Sequence, residues 1–469
     1  MFTEARYLQE KARLLCNGLS SRLDEFVEEF PDGQSSRRLI GTIRVFIADI
    51  EDQLAGATEV RLLRWLCSLI DKLAEMLEWL DHAHIAQTPK AYVNILREIS
   101  GVLFQNAEIL VTPAIESNYT IIDEVPSLLH LTSLLTESAH QSVADLLPDS
   151  LYHVRFPRIE RENILNHPLF GHEFGHPIVD EFFDEHETKS SYQSRLSDAQ
   201  KTIEREQVVI DRLAACVDDL DRARELNAIS ETLSAIHKRA LVEIVSDAVA
   251  VYIFGPSAIF AAMDLLIREG LDEAPAPDDY YPPTRYRWRF MLKVLVDEGH
   301  IQALKKLSLS GNQQGVQITL DETLAFLDGV AAENVDGQVI ASDPYMRVAY
   351  SWLDQTLPDA LTHARQYVEK LIYDSTLILD EVPPLLERLL AGVPPSQIGI
   401  WPDVKSVDWR SAFVASWLLS LNQGLDSTKT SDQRKIATKT TRDLVAKGIE
   451  YIYLQRDKRQ FNARNEVKQ

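Results

Sequence analysis

Cysteine is scarce in this chain: Cys16, Cys67 and Cys216 are the only three, far apart and without a C-x-x-C pair. So sparse and odd a set argues against a disulfide framework and against a thiolate zinc site, and it suits a reducing compartment. Positive charge is also short. Lys and Arg number 48 against 71 Asp and Glu, a formal charge of −23. Such a surface repels phosphate, and the densest basic cluster, Arg285, Arg287 and Arg289, is too short to offset it. Nucleic acid is therefore not an expected partner. Long apolar runs are missing too. The most apolar stretch, Ala248 to Met263, spans 16 residues and is interrupted by Gly255-Pro256, too short and broken to cross a bilayer. The N-terminus is charged from its fourth residue and has no apolar h-region, so no signal peptide is expected. These absences point to a cytoplasmic protein with no membrane partner. An apolar fraction of 45% and a charged fraction of 25% are those of a globular chain, which excludes disorder over most of its length.

What is present is helical pattern. Leu62, Leu63, Leu66, Ile70, Leu73, Leu77 and Leu80 recur at three- and four-residue spacing, one apolar stripe on a helix. Similar periodicity runs through Leu39 to Leu54 and Tyr92 to Leu110, with Thr88-Pro89 and Thr112-Pro113 as punctuation at helix starts. Residues 1–150 thus read as an N-terminal helical bundle. Tyr152 to Phe156 alternates β-rich residues and ends at Pro157, a short strand. A helix start follows, with Asn166 as N-cap and Pro168 in the first turn. From Ile178 to Phe254 there are 77 residues without Gly or Pro, and Ile203, Ile210 and Val217 are seven apart. A Pro- and Asp-rich loop, Glu273 to Pro283, comes next. Beyond it lies mixed helical sequence, broken at Val393-Pro394-Pro395 and Ile400-Trp401-Pro402 before two last helices near Trp409–Leu421 and Thr441–Gln455.

The chemistry sits in Leu169 to Ile178, LFGHEFGHPI, which contains His172-Glu173-Phe174-Gly175-His176, the pattern H-E-x-x-H. On a helix, positions i and i+4 share a face, so both imidazoles can reach one metal ion, and Glu173 stands next to it. Imidazole suits Zn²⁺, and a catalytic zinc has three protein ligands plus water. Glu173 then takes a proton from that water as general base. Pro177 removes the helical hydrogen bond to the Glu173 carbonyl, so a bend or strain is expected beside His176. His153, His167, His186 and His300 have no ligand spacing. No P-loop, G-x-S-x-G or dinucleotide fingerprint is present.

The metzincin pattern fails, because Val179 and Phe182 occupy its Gly and His positions. Glu243-Ile244-Val245-Ser246-Asp247 instead resembles the E-x-x-x-D element of the gluzincin metallopeptidases. That resemblance implies Glu243 as third zinc ligand and Asp247 as the carboxylate that orients a zinc-bound histidine, a second-layer role that ligating imidazoles need. Downstream, Tyr281-Pro282-Pro283-Thr284-Arg285-Tyr286-Arg287 is similar to the H-P-P element, with Arg four residues after the second Pro, of the CaaX-prenyl endopeptidases and HtpX-type proteases. Tyr281 replaces that family's His, and its membrane helices are missing. The resemblance covers Asn166 to Arg289. It implies that Arg287 lines the cleft and that Tyr281 or Arg287 stabilises the oxyanion. It also implies that Tyr152–Phe156 is an edge strand binding substrate backbone beside the motif helix.

The expected architecture is mainly α: a zincin-like metallopeptidase core with a small β element at 151–300, between the bundle at 1–150 and a C-terminal helical domain at 301–469. Since 66 residues separate His176 from Glu243, the run between them must fold back. A helical-hairpin insertion at about 187–240 is expected, turning near Asp218–Glu225, with Leu196, Ile203, Ile210 and Val217 facing Leu226, Ile229, Leu233 and Ile236. That hairpin is a possible surface for a protein partner. The expected activity is zinc-dependent endopeptidase cleavage of a protein or peptide substrate. The alternative is a non-catalytic helical interaction protein with a structural zinc site.

Overall fold

A computed structural model describes residues 3–29, 34–83, 88–104, 106–115, 118–133, 135–266, 271, 281–332, 335–399 and 404–466. The chain is mainly helical and divides into two compact units, Met1–Glu162 and Asn163–Gln469. The sequence segments 163–300 and 301–469 therefore fall in one unit. Most of the Pro-rich loop, with Tyr280, and the Trp401-Pro402 break lie outside the described residues.

In the first unit, helices α1 (Glu4–Glu29), α2 (Gln34–Gly56) and α3 (Val60–Ala83) pack around a core of Leu, Ile and Phe. The α3 stripe is its buried face: Leu63, Leu66, Ile70, Leu73, Leu77 and Leu80 are all inside. Pro89 stands immediately before α4 (Lys90–Leu103), as punctuation predicts. The second punctuation does not hold. Thr112 and Pro113 lie in a strand, β1 (Ala107–Ala114), and β2 (Thr120–Asp123) follows before α5 (Val125–Thr132) and α6 (Glu137–Leu146). The expected strand is found as β3 (Ser150–Pro157), but it is no edge. It is central, parallel to β1 and antiparallel to β2. Both of its hydrogen-bonding edges are occupied, so strand addition by a substrate has no place there. Pro113, which lacks an N–H, sits on the outer strand β1, where one missing donor is tolerated. His153 in β3 is absorbed structurally, with Nε2 2.8 Å from Thr112 Oγ1 and Nδ1 3.3 Å from Glu124.

The second unit opens with a 3₁₀ turn, Ile164–Leu169, that contains Asn166 and Pro168; α7 (Phe170–His186) starts after it. Asn166 is thus not the cap of α7. Its side chain donates to Asp264 at 3.0 Å, and the Trp417 indole donates to the Leu165 carbonyl at 2.9 Å, fixing the turn from which α7 departs. Helix α7 continues through Pro177 without interruption. The fold-back after it consists of α8 (Ser190–Ile203), α9 (Gln207–Ala214) and α10 (Asp219–Phe254), with Asp218 capping α10 through its side chain. The expected long hairpin arm is therefore two short helices. The breaks at 204–206 and 215–218 reset the heptad phase. Accordingly α9 buries Val209 and Leu213, while Ile210 is half exposed and Val217 is 92% exposed. Ile229, Leu233 and Ile236 of α10 are buried as expected.

Helices α11 (Pro256–Leu266), α12 (Thr284–Asp297), α13 (His300–Lys306), α14 (Gln314–Ala332), α15 (Val335–Ser342) and α16 (Pro344–Tyr367) follow. The chain ends with α17 (Thr376–Leu390), a small β4–β5 ladder (Gln397–Ile398, Lys405–Ser406), α18 (Trp409–Leu425) and α19 (Ser431–Glu466). Helix α8 packs chiefly on α16 and is clasped there by Arg195–Asp359 (3.0 Å), while Arg347–Glu206 (2.7 Å) and Arg212–Tyr345 (2.7 Å) hold the 204–214 segment to α16. The turn from α10 to α11 uses Gly255 at φ 57°, a left-handed backbone that excludes most side chains. No helix among the described residues is long and apolar enough to cross a membrane.

Where α10 meets α16, the buried His237 ring stacks on Trp352 with centroids 3.6 Å apart. Thr356 Oγ1 donates to the Trp352 carbonyl, so it accepts from His237 Nε2 at 3.1 Å, and Nδ1 has no partner among the described residues. Burial pushes this imidazole down to about 3 from an ordinary 6.5. The unfolded chain takes up the proton near 6.5 while the fold resists until about 3, so stability is full above that window and falls as pH drops through it. At about pH 5 the loss is roughly 2 kcal/mol. His237→Phe keeps a stacking ring and is expected to flatten this part of the Tm–pH curve; an unchanged slope in the variant contradicts the assignment.

Candidate metal centre

Two helices make the site, and glycine lets them meet. A Cβ on Gly175 would stand 2.4 Å from the Ser246 Cα, and one on Gly171 2.6 Å from the Ala250 Cα. Only bare backbone fits on this face of α7, so α7 and α10 approach more closely than side chains otherwise permit. Each motif histidine follows one of these glycines by one residue and is thereby carried to the rim of the contact. From Glu243 to Phe254 every residue of α10 is buried. Glu243 and Asp247 are therefore not a surface pair of acids.

His172 Nδ1 hydrogen-bonds Asp247 Oδ1 at 2.8 Å, and its Nε2 stands 3.4 Å from Glu243 Oε2. The His172 and His176 rings are 4.9 Å apart, nearly perpendicular. Ligand atoms of His172, Glu173 and His176 lie within 4.8 Å of one another, and Glu173 Oε2 is 3.9 Å from His176 Nε2. Arg287, from α12, donates from Nε to Asp247 Oδ2 and from Nη2 to Oδ1, both at 2.8 Å, while Nη1 stands 3.2 Å from Glu243. This is the placement of an ion-pair partner inside the site, not of a side chain lining an open cleft. Tyr281 lies at the mouth, 38% exposed, with the Arg239 guanidinium 4.7 Å above its ring.

The charges are mutually dependent. Burial disfavours charge on His172, yet Asp247 and Glu243 outweigh it and lift its pKa to about 10. Burial also opposes charge on Asp247, and Arg287 with His172 overrules it, holding that carboxyl well below the usual range. Glu243 is likewise held down against burial, by His172 and Arg287. Glu173 is pushed up to about 7 by burial, with His172 acting against the rise. Burial, reinforced by the neighbouring His172, lowers His176 to about 4, which leaves it neutral with a lone pair to offer.

Part of the expected donor set has the spacing that a divalent metal requires: the ligand atoms within 4.8 Å of one another are those of His172, Glu173 and His176, and Glu243 meets that group at His172. Ligands about 2.0–2.1 Å from a tetrahedral zinc stand about 3.3–3.4 Å from each other. His172 Nε2 and Glu243 Oε2 have that spacing, with the opposite ring nitrogen fixed by Asp247. The ionised carboxylates of Glu243 and Asp247, with Glu173 ionised only in part near neutral pH, face the Arg287 guanidinium and the His172 imidazole. Without an ion the protonated His172 and Arg287 largely balance these carboxylates, so a cation binding here would have to displace the His172 proton. No protein-family model, no curated protein and no solved structure matches this chain.

Sequence reasoning had not singled out three residues. Gly171 and Gly175 carried a readable signal, the same four-residue spacing as the histidines they precede. Arg239 is one helical turn before Glu243, and so on its face; only the helix assignment of α10 gives that away.

Proposed function

We propose that this chain is a zinc-dependent metalloendopeptidase of gluzincin type, its second unit holding a zincin-like core. His172, His176 and Glu243 are the proposed ligands, and the observation that carries the reading is His172, fixed on Asp247 and 3.4 Å from Glu243. Zinc, when bound, supplies a Lewis acid that lowers the pKa of water and polarises a carbonyl. The side chains supply the rest. Glu173, largely enclosed and near neutrality in its pKa, takes a proton from water and returns one to the leaving amine. Asp247 holds the His172 tautomer, and Arg287 holds Asp247. Burial and Glu243 push the Tyr281 phenol up, so it stays protonated. It can then donate to the carbonyl oxygen that becomes negative. The substrate in this reading is a protein or peptide, and the sparse cysteines favour a cytoplasmic setting.

The test is hydrolysis of unstructured peptides by the zinc-loaded full chain. Glu173→Gln is expected to retain zinc and lose turnover by about 10²–10⁴-fold. A variant that keeps full turnover removes Glu173 as base. Zinc retained with no cleavage by wild type favours the structural-zinc interaction protein instead.

A further inference from the structure

The mouth of the site carries a cation with little to do inside the protein. Arg239 has a side chain 43% exposed, against 13% for Arg287. Among the described residues its ion-pair partner is Glu243, whose Oε1 is 3.7 Å away, beyond hydrogen-bonding distance, and the other oxygen of Glu243 is engaged by His172 and Arg287. The guanidinium is held instead over the Tyr281 ring at 4.7 Å. An aromatic face confines an arginine without consuming its N–H donors, which remain for a bidentate acceptor. Exposure within the site rises from His172 (13%) and Glu173 (14%) to His176 (29%), and Arg239 and Tyr281 are more exposed still.

We propose that Arg239, held on Tyr281, binds a carboxylate of the substrate next to the reacting bond, so that peptides with an acidic side chain there are preferred. This inference rests on the peptidase reading above. A planar, half-exposed fork beside the site matches a carboxylate and little else in a peptide. The net charge of −23 repels acidic peptides at a distance, which salt screens, so the contact must be read at fixed ionic strength.

The experiment pairs Glu-containing peptides with their Gln isosteres, moving the Glu through the positions flanking the scissile bond. With the zinc-loaded full chain, one position is expected to favour Glu by roughly tenfold in kcat/KM, mainly through KM. Arg239→Ala is expected to bring that ratio to about one, Arg239→Lys to restore part of it, and Arg239→Glu to invert it. A second arm measures binding of the same labelled pairs to zinc-loaded Glu173→Gln, where no turnover is needed. Cleavage with the Glu/Gln ratio unchanged in Arg239→Ala overturns the carboxylate site and leaves the peptidase standing. Arg239-dependent preference in binding without cleavage by wild type does the reverse. Neither preference nor cleavage removes both.

Discussion

Gly175→Ala is expected to destabilise the second unit by about 3 kcal/mol or more, at the upper end of overpacking effects. The added methyl would lie 2.4 Å from the Ser246 Cα, and backbone at the centre of a helix contact has nowhere to move. The helices must separate, which shifts His172 away from Glu243 and Asp247. If zinc binds as proposed, its affinity is therefore expected to fall together with stability, although the nearest atoms to the added methyl all belong to Ser246. Gly329→Ala is the control: α14 belongs to the same unit, and nothing lies within 4 Å of its added Cβ. There the better helix propensity of Ala is expected to leave stability unchanged or slightly raised, by up to about 1 kcal/mol. Urea unfolding of both variants, with zinc titration, checks the pair. Equal stabilities would mean that α7 and α10 do not cross in this way.

Arg287→Met is expected to cost about 3–5 kcal/mol, because it leaves the buried carboxylates of Glu243 and Asp247 without their counter-charge. The sign of its pH dependence follows. In wild type both groups are held below their ordinary values, so their contribution is present above the ordinary carboxylate range and is lost as pH falls. Without the guanidinium their folded-state values rise, and the deficit of the variant is expected to shrink as pH falls and they protonate. Zinc, which brings positive charge to the same carboxylates, is expected to shrink it as well. An arginine acting only on the transition state would show the opposite split: normal stability, normal zinc content and a reduced kcat. Thermal unfolding with and without zinc separates these roles.

Much of this site was legible because helix geometry is local. The i, i+4 relation places His172 beside His176 and Glu243 beside Asp247 from residue numbers alone. The apolar residues after Asp247 announce that its helix is buried. What sequence could not convey was the contact between α7 and α10, since it joins Gly175 to Ser246 and Gly171 to Ala250, residues far apart in the chain, through atoms that glycine lacks. Arg287 illustrates the same limit. Its position near the site followed from a motif, but its bidentate hold on Asp247 depends on how α12 crosses α10. The outer fold was harder for a different reason. β1 and β3 are a parallel pair separated by a long connection, and β1 carries Pro113, a residue that read as a helix start. The heptad pattern at 203–217 misled because two short breaks reset its phase, which periodicity over a few turns does not record.

One cation held by His172, His176 and Glu243 is the proposed centre of the chemistry, and its most direct measurement is the zinc content of purified protein after chelation and reloading at limiting free zinc. About one zinc per chain is expected in wild type and in Glu173→Gln, with occupancy lost in His176→Ala and in Glu243→Ala, because two remaining ligands do not hold zinc tightly. Full occupancy in both ligand variants, or none in wild type, would contradict it.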